Sequence, residues 1–382
     1  MVMGFANPLG IEEVGLEEVL DRVIAEDIVS DVDMPPFNKS AMDGFACRRA
    51  DLANDLDLIE EIPAGKVPER MISKDQCSRI MTGAMVPEGA DCVIMVEETE
   101  IVESSKIRFT GTKTSDNICL IGEDVKISDV VLKQGVKIKP QHIAILASVG
   151  AVKLKVFKRP SVGVISTGDE LVEPDQKPEL SQIRNSNAYQ IIAQIKAAGT
   201  LPDYQGIASD NIQSTQGKIM KSLDRNDVTI LTGGVSMGEY DLVPDIMKDM
   251  GIQLMFQRIA IQPGKPTIFG KKGNKLCFGL PGNPVSSFVL FELLVKPLLQ
   301  GLMGNNYSPA NINLPMATMY SRKKSHRKSW LPVLINKDGE IETVEYHGSA
   351  HIYSLSDAMG LISIPIGETT LQKGEIVHVR LI

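Results

Sequence analysis

The spacing of apolar positions divides the chain into a middle part with alternating helices and strands and two flanking parts that are rich in strands. Residues 10–28 carry apolar side chains from Leu16 to Ile24 at helical spacing, which predicts an amphipathic helix. Between residues 55 and 135, short β-branched runs separated by turn residues predict a small β-rich unit. From residue 311 onwards helical periodicity is lost, and short apolar runs predict a second small β domain.

The middle part of the chain, residues 158–303, alternates short apolar runs with longer amphipathic segments. The short runs predict buried strands at 161–166, 201–209, 227–232, 251–257 and 274–280. The longer segments predict helices at 187–199, 210–224, 241–251 and 284–299. Such alternation is typical of a doubly wound, mostly parallel sheet. We therefore predict a multidomain protein with a central α/β domain flanked by β-rich units.

Composition and charge narrow the class of protein. The 382 residues exceed one ordinary core, so about two to four domains are expected. The 40 basic and 48 acidic residues give a net charge of −8, which disfavours a nucleic-acid binder. No apolar run approaches the roughly 20 residues of a membrane span, and the first residues lack the features of a signal peptide. The five cysteines lack CxxC-like spacing, which fits reduced, mostly buried thiols in the cytoplasm rather than a metal site.

Three polar loops follow strands of the predicted α/β domain: STGDEL (166–171), LTGGVSMGEYD (231–241) and GLPGNPVSS (279–287). Ligands of open parallel sheets bind beyond the carboxyl ends of the strands. Glycines allow close backbone approach to an anion, and hydroxyl donors add hydrogen bonds to it; the candidates are Thr232, Ser236, Ser286 and Ser287. A single loop of this kind is explained by a tight turn and a capped helix, for which Asn283 before Pro284 is suited. Three loops at one edge favour a phosphate or oxyanion site.

Charged residues extend the prediction. Arg258 and Lys265 surround the segment QPGKP (262–266) and would attract an anion. Acidic residues also fall at strand ends or helix starts: Asp169, Glu170, Asp210 and Asp241. Each alone could be a helix N-cap, but carboxylates grouped beside an anion require a bridging divalent cation. A Mg²⁺–phosphate ligand is therefore predicted, with a phosphoanhydride as a candidate target. GxxxxGK[ST] and GxGxxG loops are absent, so neither a P-loop NTPase nor a Rossmann dehydrogenase is supported.

Seven motifs together resemble one known family. In chain order they are SAMDGFA (40–46), RIMTGAMVPEGADCVIMVEE (79–98), GEDV (122–125), STGDEL (166–171), GGVSMGEYD (233–241), QPGKP (262–266) and GLPGNPVSS (279–287). Their order is similar to that in the molybdopterin molybdotransferases, which include the gephyrin E domain. The resemblance covers residues 9–382. No one of these motifs would identify the family alone.

The resemblance implies an elongated homodimer of four-domain chains. Residues 1–36 and 126–157 would form a discontinuous first domain, into which a β-rich domain of residues 37–125 is inserted. Residues 158–305 would form the α/β domain that binds molybdopterin, and residues 306–382 a small β-barrel. Asp43 and Thr82 would approach the α/β domain of the partner subunit.

The resemblance also implies an activity. Molybdate would be inserted into adenylylated molybdopterin with Mg²⁺-dependent hydrolysis that releases AMP. A contact with the molybdopterin adenylyltransferase, which makes that substrate, is expected, and neither nucleic acid nor membrane is an expected partner. Two alternatives stay open at this point: a paralogue that inserts tungstate, and a non-catalytic dimer that binds molybdopterin or serves as a scaffold.

Site residues carry over by motif position. The expected catalytic residues are Asp43, Thr82, Asp124, Glu170, Asp210 and Asp241, with Glu170 and Asp241 as ligands of Mg²⁺. The expected substrate-binding residues are Gly233, Gly234, Ser236, Gly238, Arg258, Gln262, Lys265, Pro281, Gly282, Asn283, Pro284, Ser286, Arg327 and Ser349. Ser236 and the neighbouring glycine N–H groups would bind the pterin phosphate.

Two positions depart from the family pattern. Gln262 stands where the family often has Lys, and Arg258 where Lys is common, so one cation is lost from the anion site. In the last domain Arg327 is kept, but Pro332 lies near the position of a second family Arg.

Overall fold

A computed structural model describes residues 1–103, 105–235, 242–344 and 348–382. Within the first 157 residues the main helix is α1 (Pro140–Ser148), and short 3₁₀ turns lie at Val2–Phe5, Leu16–Glu18, Arg49–Asp51 and Val96–Glu98. The strands of this part are β1 (Ile11–Gly15), β2 (Ile28–Val29), β3 (Lys39–Ser40), β4 (Gly44–Cys47), β5 (Leu56–Ile62), β6 (Gln76–Ile80), β7 (Cys92–Met95), β8 (Thr99–Glu103), β9 (Lys106–Phe109), β10 (Ile118–Cys119), β11 (Val130–Leu132) and β12 (Lys153–Phe157).

Strands from distant parts of the sequence pair in this region. β1 pairs with β12, and β2 with β11, both antiparallel. Val19, Leu146 and Leu154 share one buried core beneath these pairs. The residues between them form a separate mixed sheet in the order β7-β4-β6-β5-β9-β8. This is the predicted arrangement of a β-rich unit inserted into a discontinuous one, and the domain boundaries given above stay predictions.

The helix predicted for residues 10–28 is wrong. The segment forms β1 and a short 3₁₀ turn, and then reverses at Asp21, which has a φ of 63°. Val23 and Ile24 make isolated bridges to Lys137 and Val156. Val23 and Ile24 are buried as the periodicity indicated, but by strand-like contacts with a distant segment. Long-range pairing has overridden a local helical pattern.

The elements of the middle part are β13 (Ser161–Thr167), β14 (Leu171–Val172), β15 (Ile183–Arg184), α2 (Ser186–Ala197), β16 (Leu201–Ala208), α3 (Ile212–Arg225), β17 (Val228–Thr232), α4 (Val243–Asp249), β18 (Gln253–Arg258), β19 (Ile261–Gln262), β20 (Pro266–Lys272), β21 (Lys275–Leu280), α5 (Pro284–Leu290), a π-helical turn (Phe291–Val295) and α6 (Lys296–Leu302). Six of these strands form one sheet in the order β16-β13-β17-β21-β20-β18. The pairs β16–β13, β13–β17 and β17–β21 are parallel, and β20 is antiparallel to both its neighbours.

Helices cover both faces of this sheet. Residues of α2, α5 and α6, among them Ile191 and Leu298, share one buried cluster with Phe278 and other residues of the strands. Residues of α3 and α4, including Ile219 and Met247, form a second cluster on the other face. The prediction of a doubly wound, mostly parallel α/β domain is confirmed.

Within the described residues, one helical segment, Pro284–Leu302, is both long and strongly apolar. It has 19 residues and a mean hydropathy of 1.5, which by length and composition would suffice to cross a membrane. However, 67% of its most apolar stretch is buried inside the fold. Val285, Leu290 and Leu298 have no exposed surface, so their apolar character is explained by packing against the sheet.

The last part of the chain closes into a small barrel. Its elements are β22 (Asn311–Pro315), β23 (Tyr320–Ser321), β24 (Lys328–Ile335), β25 (Ile341–Thr343), a 3₁₀ turn (Ile352–Leu355), β26 (Gly360–Ile364), β27 (Thr370–Leu371) and β28 (Ile376–Leu381). The strands β24, β26, β28 and β22 are hydrogen-bonded in that order, and β25 pairs with the other side of β24. A bridge between Met316, directly after β22, and Ile341 of β25 joins the two ends. β19 of the middle part adds to β24, which fixes the barrel against the α/β domain.

Candidate active site

The loops after β13, β17 and β21 meet at one edge of the sheet, as the sequence predicted. The three strands are parallel neighbours, so their carboxyl ends lie side by side. A cavity of about 810 Å³ opens there. We call it the cleft; its lining comprises Ser166, Thr167, Gly168, Glu170, Leu171, Ile183, Arg184, Asn185, Ser186, Asn187, Asp210, Thr232, Gly233, Gly234, Val235, Pro266, Pro281, Gly282, Asn283, Pro284, Ala350, Ile352 and Tyr353.

Gly233 and Gly234 have backbone conformations that favour glycine. Their φ values are 99° and 61°. A Cβ atom at Gly233 would lie 2.5 Å from the carbonyl oxygen of Thr167, which is too close for any other residue. The N–H of Gly233 donates to Leu280 O at 3.1 Å, so this donor serves the contact between the two loops rather than a ligand. The glycines therefore permit the close approach of three strand ends.

Thr167 places a buried hydroxyl beneath these glycines. The residue is 5% exposed, and its Oγ1 has no hydrogen-bond partner among the described residues. A Cβ atom at Gly233 would lie 2.8 Å from this oxygen, and one at Gly234 3.0 Å from it. Because this oxygen is itself shielded from solvent, it belongs to the packing between the loops rather than to the open face of the cleft.

The loop 281–284 presents polar backbone to the cleft. Pro281 and Pro284 line it, and between them Gly282 and Asn283 are exposed. Asn283 occupies the N-cap position of α5, but its side chain makes no capping hydrogen bond and is left to face solvent. Ser286 is 2% exposed, and the Ser287 hydroxyl donates to Pro284 O at 2.9 Å. Both serines therefore lie in the packing of α5 rather than at the open face of the cleft.

Two acidic residues at the cleft, Asp169 and Asp210, are held by backbone donors. The N–H of Asp169 donates to Asp210 Oδ2 at 3.2 Å, and the N–H of Asp210 donates to Asp169 Oδ1 at 3.1 Å. Neither is a helix N-cap, since Asn185 caps α2 and Asn211 caps α3. Within the described ranges, none of the ion pairs involves Asp169, Glu170 or Asp210.

The carboxylate oxygens of the cleft suit a Mg²⁺ ion that takes its remaining ligands from a bound phosphate and from water. The described residues contain no group of three or more His, Cys, Asp or Glu residues that would enclose a metal by themselves. Mg²⁺ in phosphate sites commonly has one or two carboxylate ligands and takes the rest from phosphate and water. Glu170 and Asp210 supply that number of carboxylates to the cleft.

The predicted cations lie beside the cleft. Arg258 pairs with Pro266 across β18 and β20, and Arg258 and Lys265 are both exposed. Gln262, also exposed, pairs with Ser329 of the barrel. Arg327 is half-buried, donates from Nη1 to Ile261 O at 3.4 Å, and leaves its buried Nε without a partner among the described residues. Pro266 itself lines the cleft, so this segment forms one of its walls.

Ser349 connects the barrel to the loop 281–284. Its carbonyl oxygen accepts a hydrogen bond from Val285 N at 3.1 Å, directly after Pro284. Ala350, Ile352 and Tyr353 follow it along the mouth of the cleft. The barrel therefore contributes one side of the cavity.

Asp43 and Thr82 form a pair outside the cleft. The N–H and hydroxyl of Thr82 both donate to Asp43 Oδ1, at 2.6 and 2.9 Å. These two hydrogen bonds lower the pKa of the Asp43 carboxyl, the backbone one most. Asp124 lines a different cavity, of about 590 Å³, together with Asp129 and neighbouring apolar residues. Within one chain, Asp43, Thr82 and Asp124 are thus not in the cavity that holds Glu170 and Asp210, and the expectation that Asp124 belongs to that cleft is not met by a single chain.

Three predicted site residues, Ser236, Gly238 and Asp241, lie outside the described residues. Residues that the sequence did not point to also line the cleft: Thr167, Asn187 and Tyr353. For Thr167 and Asn187 a signal existed, because each is polar and falls at a strand end or helix start of the predicted edge. Tyr353 carried no such signal, since its place depends on the barrel docking against the α/β domain.

Models of known protein families match nearly the whole chain. The family model described as MoeA N-terminal region (domain I and II) matches residues 2–150. The model described as "Probable molybdopterin binding domain" matches residues 163–301, and that of the MoeA C-terminal region (domain IV) matches residues 317–382.

Individual relatives are similar over nearly their full length. The chain is 36% identical over 385 residues to the molybdopterin molybdenumtransferase of Bacillus subtilis, covering 97% of this chain and 90% of the relative. It is 38% identical over 357 residues to the enzyme of the same name from Haemophilus influenzae, covering 91% and 87%. A solved structure of the molybdopterin biosynthesis MoeA protein from Pyrococcus horikoshii OT3 matches with a TM-score of 0.86 at 29% identity, covering 100% of this chain and 97% of that one. The resemblance inferred from seven motifs is confirmed, and this chain belongs to the MoeA family of molybdopterin molybdenumtransferases.

Proposed function

We propose that this enzyme of molybdenum cofactor biosynthesis inserts molybdenum from molybdate into adenylylated molybdopterin. In the same proposal, Mg²⁺-dependent hydrolysis of the substrate's phosphoanhydride releases AMP. One observation carries it: glycine-rich loops and carboxylates without basic partners among the described residues open into the same cleft. Backbone N–H groups suit phosphate, and the carboxylates need a cation if phosphate is to stay beside them.

The carboxylates of Glu170 and Asp210 would hold Mg²⁺, and Asp241, outside the described residues, is the further proposed ligand. Mg²⁺ would neutralise charge on the phosphoryl oxygens of the anhydride. Asp169 keeps Asp210 in place through their reciprocal backbone hydrogen bonds.

Arg258 and Lys265 would attract the incoming oxyanion and stabilise charge that develops on the phosphate. Support comes from their exposure beside Pro266 and from the absence, within the described ranges, of an ion pair for either cation. Two cations near one loop raise the local concentration of a dianion such as molybdate.

The proposal includes a homodimer whose active site takes residues from both subunits. Its support is the separation of the Asp43–Thr82 pair from the cleft within one chain. Asp43 is exposed and ionised, and two hydrogen bonds hold its carboxylate in place. Such an ordered carboxylate on an open surface suits a site that is completed by a second copy of the chain.

The test supplies the purified chain with adenylylated molybdopterin, Mg²⁺ and low molybdate, and measures AMP by chromatography. AMP release that requires Mg²⁺ and stops with EDTA is expected. No AMP above a protein-free control would overturn the proposed reaction, and tight binding of molybdopterin without turnover would favour a non-catalytic binding protein. A parallel titration with tungstate identifies the oxyanion that saturates the enzyme at the lower concentration.

A further inference from the structure

Asn187 connects the two glycine-containing loops of the cleft. It lies in the first turn of α2 and is half-buried at the cleft wall. Its Nδ2 donates one hydrogen bond to Gly282 O at 2.7 Å and another to Thr232 Oγ1 at 3.1 Å. Gly282 lies in the loop after β21, and Thr232 ends β17 directly before Gly233. One amide group thus joins both loops from a third element.

The two loops touch each other at the same place. The Thr232 hydroxyl, which accepts from Asn187, donates onward to Pro281 O at 3.4 Å. A Cβ atom at Gly282 would lie 3.6 Å from Gly233 Cα. Both loops lie on neighbouring strands, but strand pairing ends at Thr232 and Leu280. Beyond those residues, the loops are joined by the backbone hydrogen bond from Gly233 N–H to Leu280 O and by the side-chain hydrogen bonds of Asn187 and Thr232.

The hydrogen bond to Gly282 also orients a peptide plane. In a trans peptide the carbonyl of one residue and the N–H of the next point in opposite directions. The Gly282 carbonyl points to Asn187, so the N–H of Asn283 points away from it. That N–H has no acceptor in the part of the chain that the structure describes. Turning this peptide would redirect a donor that borders the cleft.

We propose that Asn187 is a positioning residue of this enzyme: its amide sets the separation and orientation of the loops 232–234 and 281–284, which hold the phosphate groups of the substrate. This rests on the proposed function, since the loops are taken to bind the anhydride. Misplacement of a reacting group by about 1 Å lowers a rate by roughly 100-fold. If a hydrogen-bond acceptor replaced the donor group of Asn187, it would repel Gly282 O. We expect the loop 281–284 to move by about 1 Å as a result.

The informative substitution is Asn187→Asp, which keeps size and shape but replaces the donor with a carboxylate. We expect kcat to fall at least about tenfold at pH 8, with KM for adenylylated molybdopterin changed by less than about threefold. Protonation restores a donor to a carboxyl group. The ratio of variant to parent activity should therefore rise as the pH is lowered towards 5, with circular dichroism recorded at each pH to show that both proteins stay folded.

Asn226→Ala is the matched control. Asn226 is a buried amide of the same domain that donates to Asp203 Oδ2 at 2.9 Å, near the opposite edge of the sheet. Its loss lowers stability without touching the cleft. A structural role for Asn187 alone predicts the same outcome for both variants: a lower melting temperature and a kcat per folded molecule within twofold of the parent.

Hydrogen exchange separates this inference from the reaction itself. In Asn187→Asp, but not in Asn226→Ala, backbone amides of residues 228–235 and 279–285 should exchange faster than in the parent. Unchanged exchange there, or a folded Asn187→Asp variant with parental kcat, would overturn the positioning role while leaving the proposed reaction intact. If the parent itself releases no AMP, the proposed reaction is wrong, and the catalytic positioning role of Asn187 is wrong with it. The exchange data then describe only the structure of the loops.

Discussion

Asp169 and Asp210 hold each other by their backbones: the N–H of each residue donates to the carboxylate of the other. Asp169 follows β13 and Asp210 follows β16, so the contact joins the loops of two neighbouring parallel strands. Each carboxylate uses one oxygen for this contact and keeps the other available. Backbone donors therefore orient both carboxylates, and neither has a basic partner in the described ranges. Such carboxylates are suited to bind a metal cation.

The first prediction concerns the charge of Asp210. In Asp210→Asn an amide oxygen still accepts from Asp169 N–H, so the loops stay joined, but the negative charge is removed. We expect the Mg²⁺ concentration for half-maximal AMP release to rise at least about tenfold, within the range typical for changes around a metal ligand. The measurement is a Mg²⁺ titration of AMP release. Asp224→Asn, on α3 and away from the cleft, is the matched control and should leave this titration unchanged.

A second prediction concerns the pKa of Asp43. Two hydrogen bonds from Thr82 lower it, so the Asp43 contribution to stability is present above the ordinary carboxyl value and is lost as the pH falls through the lowered value. Thr82→Val removes the hydroxyl donor and keeps the N–H. The pKa of Asp43 should therefore rise towards its ordinary value, which carboxyl NMR titration measures directly. Thr82→Ser keeps both donors and should leave it low; equal pKa values in the two variants would show that the hydroxyl is irrelevant.

Subunit mixing tests whether the Asp43–Thr82 pair serves the partner's cleft. At a Mg²⁺ concentration that is saturating for the parent but limiting for Asp210→Asn, the variants Asp43→Asn and Asp210→Asn should each have low activity alone. If the site is shared, an equal mixture of dissociated and reassociated subunits regains about a quarter of parental activity, because half of the dimers are mixed and each has one intact site. Activity of the mixture that stays at the level of the single variants would place Asp43 and Asp210 in the same subunit's site.

Another prediction concerns the exposed cations beside the cleft. Gln262→Lys adds a third cation beside Arg258 and Lys265 on an exposed segment, without burying charge. Because more positive potential concentrates a dianion, the molybdate concentration for half-maximal AMP release should fall several-fold at low salt, and the gain should shrink as salt is added. Gln372→Lys makes the same change of net charge on an exposed barrel residue and should have no such effect.

Local patterns predicted the α/β domain well because its strands and helices are each long enough to carry their own periodicity. The edge on which the three loops lie followed from parallel pairing alone, and β13, β17 and β21 bear it out. The strand β20 (Pro266–Lys272) was not predicted, since it belongs to a hairpin with β21 inside a run that reads as loop and strand. The failure at residues 10–28 has the opposite cause, because partners at 137 and 153–157 decide their conformation.

The roles of individual side chains within the site were harder to predict from the sequence than the fold. Ser286 and Ser287 were expected to face the anion, but the turn at Pro284 directs both into the packing of α5. Gly233 was expected to offer its N–H to a phosphate, and that donor is used by Leu280 O. In both cases the residue type was right for the chemistry, and only the relative placement of two loops decided whether the group reached the cleft.

The final prediction concerns the ion pair between Glu292 and Lys296, which is largely buried. Lys296 Nζ lies 2.7 Å from Glu292 Oε2, and the side chains are 21% and 6% exposed. Gln194 Nε2 donates to the other carboxylate oxygen at 3.0 Å. Lys296→Met removes the cation and leaves Glu292 charged in the interior, which should lower the free energy of unfolding by about 3–5 kcal/mol at pH 7. The double variant Glu292→Gln/Lys296→Met, which leaves no buried charge without a partner, should recover part of this loss. Urea denaturation of the three proteins measures this, and a double variant no more stable than Lys296→Met would show that missing packing, rather than the unpaired carboxylate, causes the loss.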